Sequence, residues 1–248
     1  MKVNLEGKSI IVTGASSGIG EATVRLLAEC GAHVLAVSRS ITADSHKGVA
    51  GVHHFAADLA DAASVPAIIA AATEGGRQIA GIVNAGGHFS YTTLAESDVA
   101  EFDLLWRVHV RTPYLLVQAA LPHLSVRSSL VFISSTVARV GFAPYAAYSA
   151  VKGAVDAMAR SLAIELAPRT RVNTILPGFT QTTMMTNQYE AAPALEEAIV
   201  VRTPTGMIGG PEYAANVIAL LCSDDSAYTT ASSIVVDGGW IGQGWQAP

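Results

Sequence analysis

The chain has 248 residues, half of them hydrophobic and 14% charged, with a formal net charge of −5 and a mean hydropathy of +0.38. That length buries a substantial core, and an acidic balance with no basic block argues against a nucleic-acid partner. The apolar runs are short and broken by Gly, Asp, Asn or Pro, and none reaches the roughly 20 residues a membrane-spanning helix needs, so no membrane partner is expected.

A polar start without an apolar leader runs into the first strand, Ser9–Val12, which points to a cytoplasmic protein. The stretch Ile10-Ile-Val-Thr-Gly-Ala-Ser-Ser-Gly-Ile-Gly20 then reads as buried strand, glycine turn and helix start. Gly14, Gly18 and Gly20, with Ser16 and Ser17 between them, let the backbone turn tightly and approach a ligand. A helix over Ile19–Cys30 offers free N–H groups and the positive end of its dipole to a pyrophosphate. The spacing is not that of an ATP loop, which needs Gly-Lys-Ser/Thr. The second strand, His33–Ser38, ends where a dinucleotide site commonly places an acid for the ribose 2′-hydroxyl. Ser38 and Arg39 stand there instead, and an arginine suits the 2′-phosphate of NADP. NADP(H) is therefore the preferred cofactor, with NAD(H) not excluded.

The third strand, Gly51–Phe55, carries His53-His54. Adjacent strand residues point to opposite faces, so this pair does not share a metal, and no metal site is expected. A helix over Ala63–Thr73, a strand over Gly81–Asn84 and a helix over Val99–Leu121 follow. Next come a strand at Leu130–Ser134, a helix at Tyr148–Leu166 and a strand at Arg171–Leu176. The segment Thr182–Gly210 is irregular and reads as a substrate lid. A helix over Pro211–Cys222 and a strand over Ser233–Val236 close the pattern. Cys30 and Cys222 read as small buried residues of a reducing compartment.

The strands are rich in Val and Ile without polar alternation, as strands covered on both faces are. Their alternation with helices predicts an α/β fold: a single doubly wound parallel seven-stranded sheet with helices on both faces, a Rossmann fold, over residues 1–248. Gly14, Arg39, Asp58, Asn84, Ser135 and Pro177-Gly178 each follow the carboxyl end of a different strand. Open parallel sheets bind ligands outside that edge. Tyr148 and Lys152 lie four apart on one helix face. An ammonium close to a phenol favours the phenolate and makes the tyrosine an acid or base near neutrality.

Together these residues resemble the short-chain dehydrogenase/reductase family, in its subtype of about this length. The resemblance spans nearly the whole chain. Its carriers are Thr13-Gly-Ala-Ser-Ser-Gly-Ile-Gly20, Asp58-Leu59, Asn84-Ala85-Gly86, Ile133-Ser-Ser135, Tyr148-Ser-Ala-Val-Lys152, Arg171-Val-Asn173, Pro177-Gly178 and Val236-Asp-Gly-Gly239. The resemblance implies that Tyr148 is the general acid/base. Lys152 would lower its pKa and hold the nicotinamide ribose, and Ser135 would stabilise developing alkoxide charge on the substrate oxygen. Asp58 and Leu59 would border the adenine, Asn84, Ala85 and Gly86 the adenosine ribose, and Pro177, Gly178, Thr180 and Thr182 the nicotinamide carboxamide. The implied function is an NADP(H)-dependent carbonyl reductase or alcohol dehydrogenase acting on a small-molecule ketone or secondary alcohol. The alternative is a nucleotide-binding regulatory or scaffold protein on the same fold with catalysis lost. The resemblance also implies a homotetramer, with a dimer as the alternative, built on the helices over Val99–Leu121 and Tyr148–Leu166.

Three positions depart from the family. His109 stands where an asparagine is usual, and its ring either adds a proton relay or supports the helix as a buried histidine. Val83 replaces the first asparagine of Asn-Asn-Ala-Gly. Ser17 stands where many NADP-preferring relatives carry a basic residue. For the substrate pocket the candidates are His88, Phe89, Val137, Arg139, Val140, Phe142, Tyr145, Phe179, Met184, Met185 and Tyr189. They suit a medium-sized hydrophobic alcohol or ketone. Arg139 is either a substrate-carboxylate ligand or a surface or interface charge. The tail from Trp240, with a second tryptophan at 245, is placed across a subunit interface.

Overall fold

The computed structural model describes residues 3–42, 44–182, 185–186 and 193–243. The expected positions Met184 and Tyr189, and the tail beyond Gln243, lie outside the described residues. Strands β1 (Ser9–Thr13), β2 (His33–Ser38), β3 (Val52–Ala56), β4 (Ile79–Asn84), β5 (Leu124–Ile133), β6 (Thr170–Pro177) and β7 (Ser233–Val236) form one seven-stranded sheet. All pairs are parallel and the order is β3-β2-β1-β4-β5-β6-β7. The order reverses between β1 and β4, which leaves a crevice at their carboxyl ends.

Strand alternation sends residues into two cores. From β1, Ile10 and Val12 join Val34 and Ala36 of β2 on one face. Ile11, Leu35 and Val37 join Leu130 and Phe132 of β5 on the other. The first face is covered by α1 (Gly18–Glu29) and α7 (Pro211–Cys222), through Val24, Leu27, Ile218 and Leu221. The second face is covered by α2 (Val65–Ala72), α3 (Val99–Trp106), α4 (Thr112–Ala120) and α5 (Ala146–Glu165), through Ile68, Leu105, Leu116, Val151 and Val155. Both faces are buried, so the strands read as continuous apolar runs. Val83, in place of the usual asparagine, is fully buried in the first core and fills it with apolar volume.

Two elements differ from expectation. The helix predicted over Val99–Leu121 is broken by a π-helical turn, Arg107–Arg111, between α3 and α4. Pro113 has no N–H to give the His109 carbonyl four residues back. The ladder slips there to an i→i−5 bond, Thr112 N–H to the Arg107 carbonyl. Within the segment read as irregular lies α6 (Pro193–Arg202). Proline at its first position, Glu196 in the first turn and Arg202 in the last are helix signals that the sequence did carry. A bridge between Thr180 and Gly209, with Gln181 N–H on the Gly209 carbonyl at 2.8 Å, ties the two ends of this segment together.

The Arg171-Val-Asn173 signature is structural. The Arg171 guanidinium donates to the Leu221 and Ser223 carbonyls at the end of α7, at 2.8 and 3.0 Å. These are carbonyls that a helix terminus leaves without donors. Asn173 holds the approach to β7 through the Thr229 carbonyl (2.9 Å) and Ser232 N–H (3.1 Å).

Candidate active site

A cavity of about 440 Å³ runs along the carboxyl edge of the sheet. At one end the β1–α1 turn brings Gly14, Ser16, Ser17, Gly18, Ile19 and Gly20 to its wall. Gly14 is left-handed at φ +67°, and a Cβ there would fall 2.5 Å from the Gly86 Cα. A Cβ on Gly20 would fall 2.1 Å from the Gly14 carbonyl oxygen. Only glycine permits this packing of turn on turn. Ser17 is the N-cap of α1 but makes no side-chain capping bond, so the first N–H groups of the helix remain available to an anion.

Beside the turn, Ser16 Oγ lies 2.8 Å from Ser38 Oγ and accepts from Ser40 Oγ at 3.1 Å. Arg39 lines the cavity next to these hydroxyls and forms no ion pair among the described residues. Asp58 and Leu59 line the same end, and Ala85 and Gly86 continue the wall. Asn84, the last residue of β4, is buried and is not part of this wall, and neither polar atom of its side chain is partnered among the described residues. An uncapped helix N-terminus, a hydroxyl cluster and a lone guanidinium fit a phosphorylated dinucleotide.

Away from the turn the cavity is lined by Ser135, Tyr148, Lys152, His109, Pro177, Gly178 and Thr180, while Thr182 reaches back to the turn, where a Cβ on Gly18 would fall 2.9 Å from its Cγ2. The two adjacent serines divide their tasks. Ser134 Oγ is buried and donates to the Lys152 carbonyl at 2.9 Å, which pins α5 to the end of β5. Ser135 faces the cavity and makes only a long capping contact, 3.4 Å from Val137 N–H.

Lys152 is 4% exposed, and its ammonium donates to the Ile133 carbonyl at 2.8 Å. Burial lowers its pKa to about 7. Its Nζ stands 5.4 Å from the Tyr148 ring centroid. The spacing alone predicted a phenol made acidic by this ammonium. In the folded cavity burial pushes the Tyr148 phenol upward, with Tyr145 adding to the shift. Loss of water disfavours phenolate, and the ammonium is turned to Ile133. The protonated phenol is the proton-donating form.

His109 is buried at the π turn, edge-on to the Tyr148 ring with centroids 5.7 Å apart. Its Nε2 lies 2.7 Å from the His88 carbonyl oxygen and 3.1 Å from the His88 amide nitrogen. Burial first, and then the charge of Lys152, hold its pKa well below the usual histidine range, so the ring is neutral. The ring packs on Gly87, where a Cβ would come 3.1 Å from His109 Cε1.

Of the substrate-pocket candidates, His88, Phe89, Val137, Phe142, Tyr145, Phe179 and Met185 line the cavity. Arg139 and Val140 do not. Arg139 turns to Asp156 on α5 at 3.3 Å, so the surface-charge reading holds. Asp156 itself was missed by sequence reasoning. It lies one turn past Lys152 and accepts hydrogen bonds from Thr174 of β6 and Ser233 of β7.

A cavity at the carboxyl edge of a parallel sheet, with an uncapped helix N-terminus on one side and a buried tyrosine and lysine on the other, fits the doubly wound, nucleotide-dependent class. Comparison with known proteins narrows that class. The family model described as enoyl-(acyl carrier protein) reductase matches residues 14–241. An uncharacterized oxidoreductase of Methylorubrum extorquens is 35% identical over 247 residues, covering 95% of this chain and 98% of that protein. A 3-oxoacyl-[acyl-carrier-protein] reductase of Thermotoga maritima is 32% identical over 248 residues, covering 96% and 100%. The crystal structure of a short-chain dehydrogenase/reductase from Brucella melitensis, titled glucose/ribitol dehydrogenase, superposes over both whole chains with a TM-score of 0.90 at 29% identity. The chain belongs to the short-chain dehydrogenase/reductase family. It is an oxidoreductase acting on CH–OH groups, in a family that uses NAD(P)(H).

Proposed function

We propose that this protein is an NADP(H)-dependent carbonyl reductase or alcohol dehydrogenase, with Tyr148 as general acid/base. The reading is carried by the continuity of the cavity. It joins the uncapped N-terminus of α1 and the Ser16, Ser38, Ser40 and Arg39 cluster to Ser135, Tyr148 and Lys152. Arg39 and the three hydroxyls hold the 2′-phosphate, and the first turn of α1 holds the pyrophosphate. The nicotinamide, when bound, supplies or accepts the hydride. Ser135 Oγ donates a hydrogen bond to the substrate oxygen, and Tyr148 Oη gives that oxygen its proton in reduction and takes it back in oxidation. Lys152 holds the nicotinamide ribose and supplies the nearest positive charge to the reacting oxygen.

His109 acts by position. Both groups at its Nε2 are backbone groups of His88, its N–H and its C=O, and backbone amides pass no proton onward. The ring instead fixes the Gly87–Phe89 stretch against the catalytic tyrosine, where Phe89 meets Tyr148 edge-on at 5.2 Å. We read residues 1–248 as one domain with a substrate lid at about 182–210, a reading supported by Thr182 and Met185 on the cavity wall.

A homotetramer is supported by large apolar side chains left exposed on α3, α4 and α5, among them Val99, Phe102, Trp106, Tyr114 and Ile164. No helix among the described residues is long and apolar enough to cross a membrane.

The test is Tyr148→Phe. It keeps NADPH binding and lowers ketone turnover by about 10²- to 10⁴-fold, the range that a lost general acid removes. Undiminished turnover would sink the mechanism.

A further inference from the structure

The walls of the cavity around Tyr148 narrow the substrate, on the basis of the reaction proposed above. Phe89 packs on Tyr148 and on Tyr145, at 5.2 and 5.5 Å between centroids. Tyr145 meets Phe142 at 5.8 Å, and Phe142 meets Phe179 at 6.0 Å. Phe89, Tyr145, Phe142 and Phe179 all face the cavity, so they form an arc of rings beginning at the catalytic phenol. The arc is braced from behind. Trp240, outside the cavity lining, stacks on Phe142 at 4.9 Å with 23° between planes, and the Arg202 guanidinium lies 4.1 Å from the Trp240 ring centroid. Each ring is held by its neighbours, so the wall is formed before a ligand arrives.

Charge is distributed just as unevenly. Among the described lining residues the only lysine and arginine are Lys152, at the reacting oxygen, and Arg39, at the phosphate end. Arg139 is committed to Asp156. His109 is neutral, and His88 Nε2 lies 2.7 Å from Glu101 Oε1. The sequence places no Lys or Arg between Arg171 and Arg202. An anionic substrate tail entering the arc has no partner for its charge, and burying an unpaired charge is costly.

We propose that the substrate is an uncharged ketone or secondary alcohol whose reacting carbon is borne on, or attached to, a six-membered ring. Ketones carrying a carboxylate or phosphate tail are discriminated against. Preformed aromatic walls favour a flat partner that stacks or meets them edge-on. A rigid ring also loses less conformational freedom on binding than an alkyl chain with the same number of carbons.

The test compares kcat/KM with NADPH for three ketones: acetophenone, its eight-carbon linear counterpart 2-octanone, and the acid 4-acetylbenzoate. The expected result is an advantage for acetophenone of about tenfold or more over each, the size that one or two ring contacts supply. In Phe142→Leu the acetophenone to 2-octanone ratio falls at least about threefold. Phe179→Leu serves the same purpose if the first variant fails to fold. Equal or better turnover of 2-octanone or of 4-acetylbenzoate, or an unchanged ratio in folded variants, overturns the substrate class and leaves the reaction standing. No hydride transfer to any of the three, or from their alcohols, overturns the reaction itself and this inference with it.

Discussion

Removing the carboxylate of Asp156 tests how the catalytic helix is held on the sheet. The Asp156 side chain is 6% exposed. Its Oδ1 accepts from Thr174 Oγ1 at 2.8 Å and from Ser233 Oγ at 2.5 Å. Its Oδ2 faces Arg139 and Arg160. In Asp156→Ala the two arginines, 46% and 51% exposed in their side chains, return to water at little cost. Thr174 is 1% exposed and its hydroxyl has nowhere to turn, while Ser233 is partly buried. A buried polar group left without a partner costs ~1–3 kcal/mol. One full and one partial loss give about 2–4 kcal/mol, which in a chain of this size lowers Tm by roughly 5–15 °C.

The pH dependence follows from the carboxyl's own shift. Burial pushes its pKa up, but the hydrogen bonds from Ser233, Thr174 and Arg160, and the charge of Arg139, outweigh burial and leave it below the usual value. A carboxyl depressed in the folded state contributes its full stability above its unfolded pKa of ~3.9 and loses it as pH falls through the folded value. Thermal melts of parent and variant from pH 7 to pH 2.5 therefore show a gap that is largest near neutrality and narrows below about pH 4. A gap under about 2 °C at pH 7, or one that stays constant to the acid end, refutes this account of how α5 is anchored.

Arg39→Asp reverses the cofactor order: the parent binds NADPH more tightly than NADH, and the variant the reverse, by calorimetric titration. Equal affinities in the parent contradict the role given to Arg39. In His109→Leu, KM rises several-fold and the pH–rate profile keeps its shape, while His109→Gln restores much of the loss by offering an N–H to the His88 carbonyl. A displaced profile in the leucine variant would reinstate the ring as a proton relay. Gly20→Ala drives a Cβ to 2.1 Å from the Gly14 carbonyl oxygen, so the turn must open and cofactor affinity falls by about two orders of magnitude or more. Unchanged affinity would show that the turn tolerates the shift. Burial pushes the Cys222 thiol up to about 12, so iodoacetamide at pH 8 leaves it unlabelled in the native protein and modifies it in urea, as read by peptide mass spectrometry. Native-state labelling at that residue would show that the end of α7 opens.

What the sequence determined is what local stereochemistry demands. Gly14 and Gly20 are legible because a Cβ at either would strike backbone, whatever else the protein does. The strands are legible because a sheet covered on both faces leaves unbroken apolar runs, as Ile10, Ile11 and Val12 show by dividing between the two cores. Arg39 in place of an acid, and the four-residue step from Tyr148 to Lys152, follow from the same short-range spacing. Signals for α6 stand in Pro193, Glu196 and Arg202, inside a segment whose sequence otherwise reads as irregular. Long-range partners decided the rest. Ser134 and Ser135 separate only because one meets the Lys152 carbonyl and the other meets the cavity. Arg139 leaves the pocket for Asp156, and the His109 ring is committed to the backbone of His88. The direction of the Tyr148 shift inverts for the same reason: a neighbour's charge can be inferred from spacing, but desolvation is set by everything that surrounds the phenol in the folded chain.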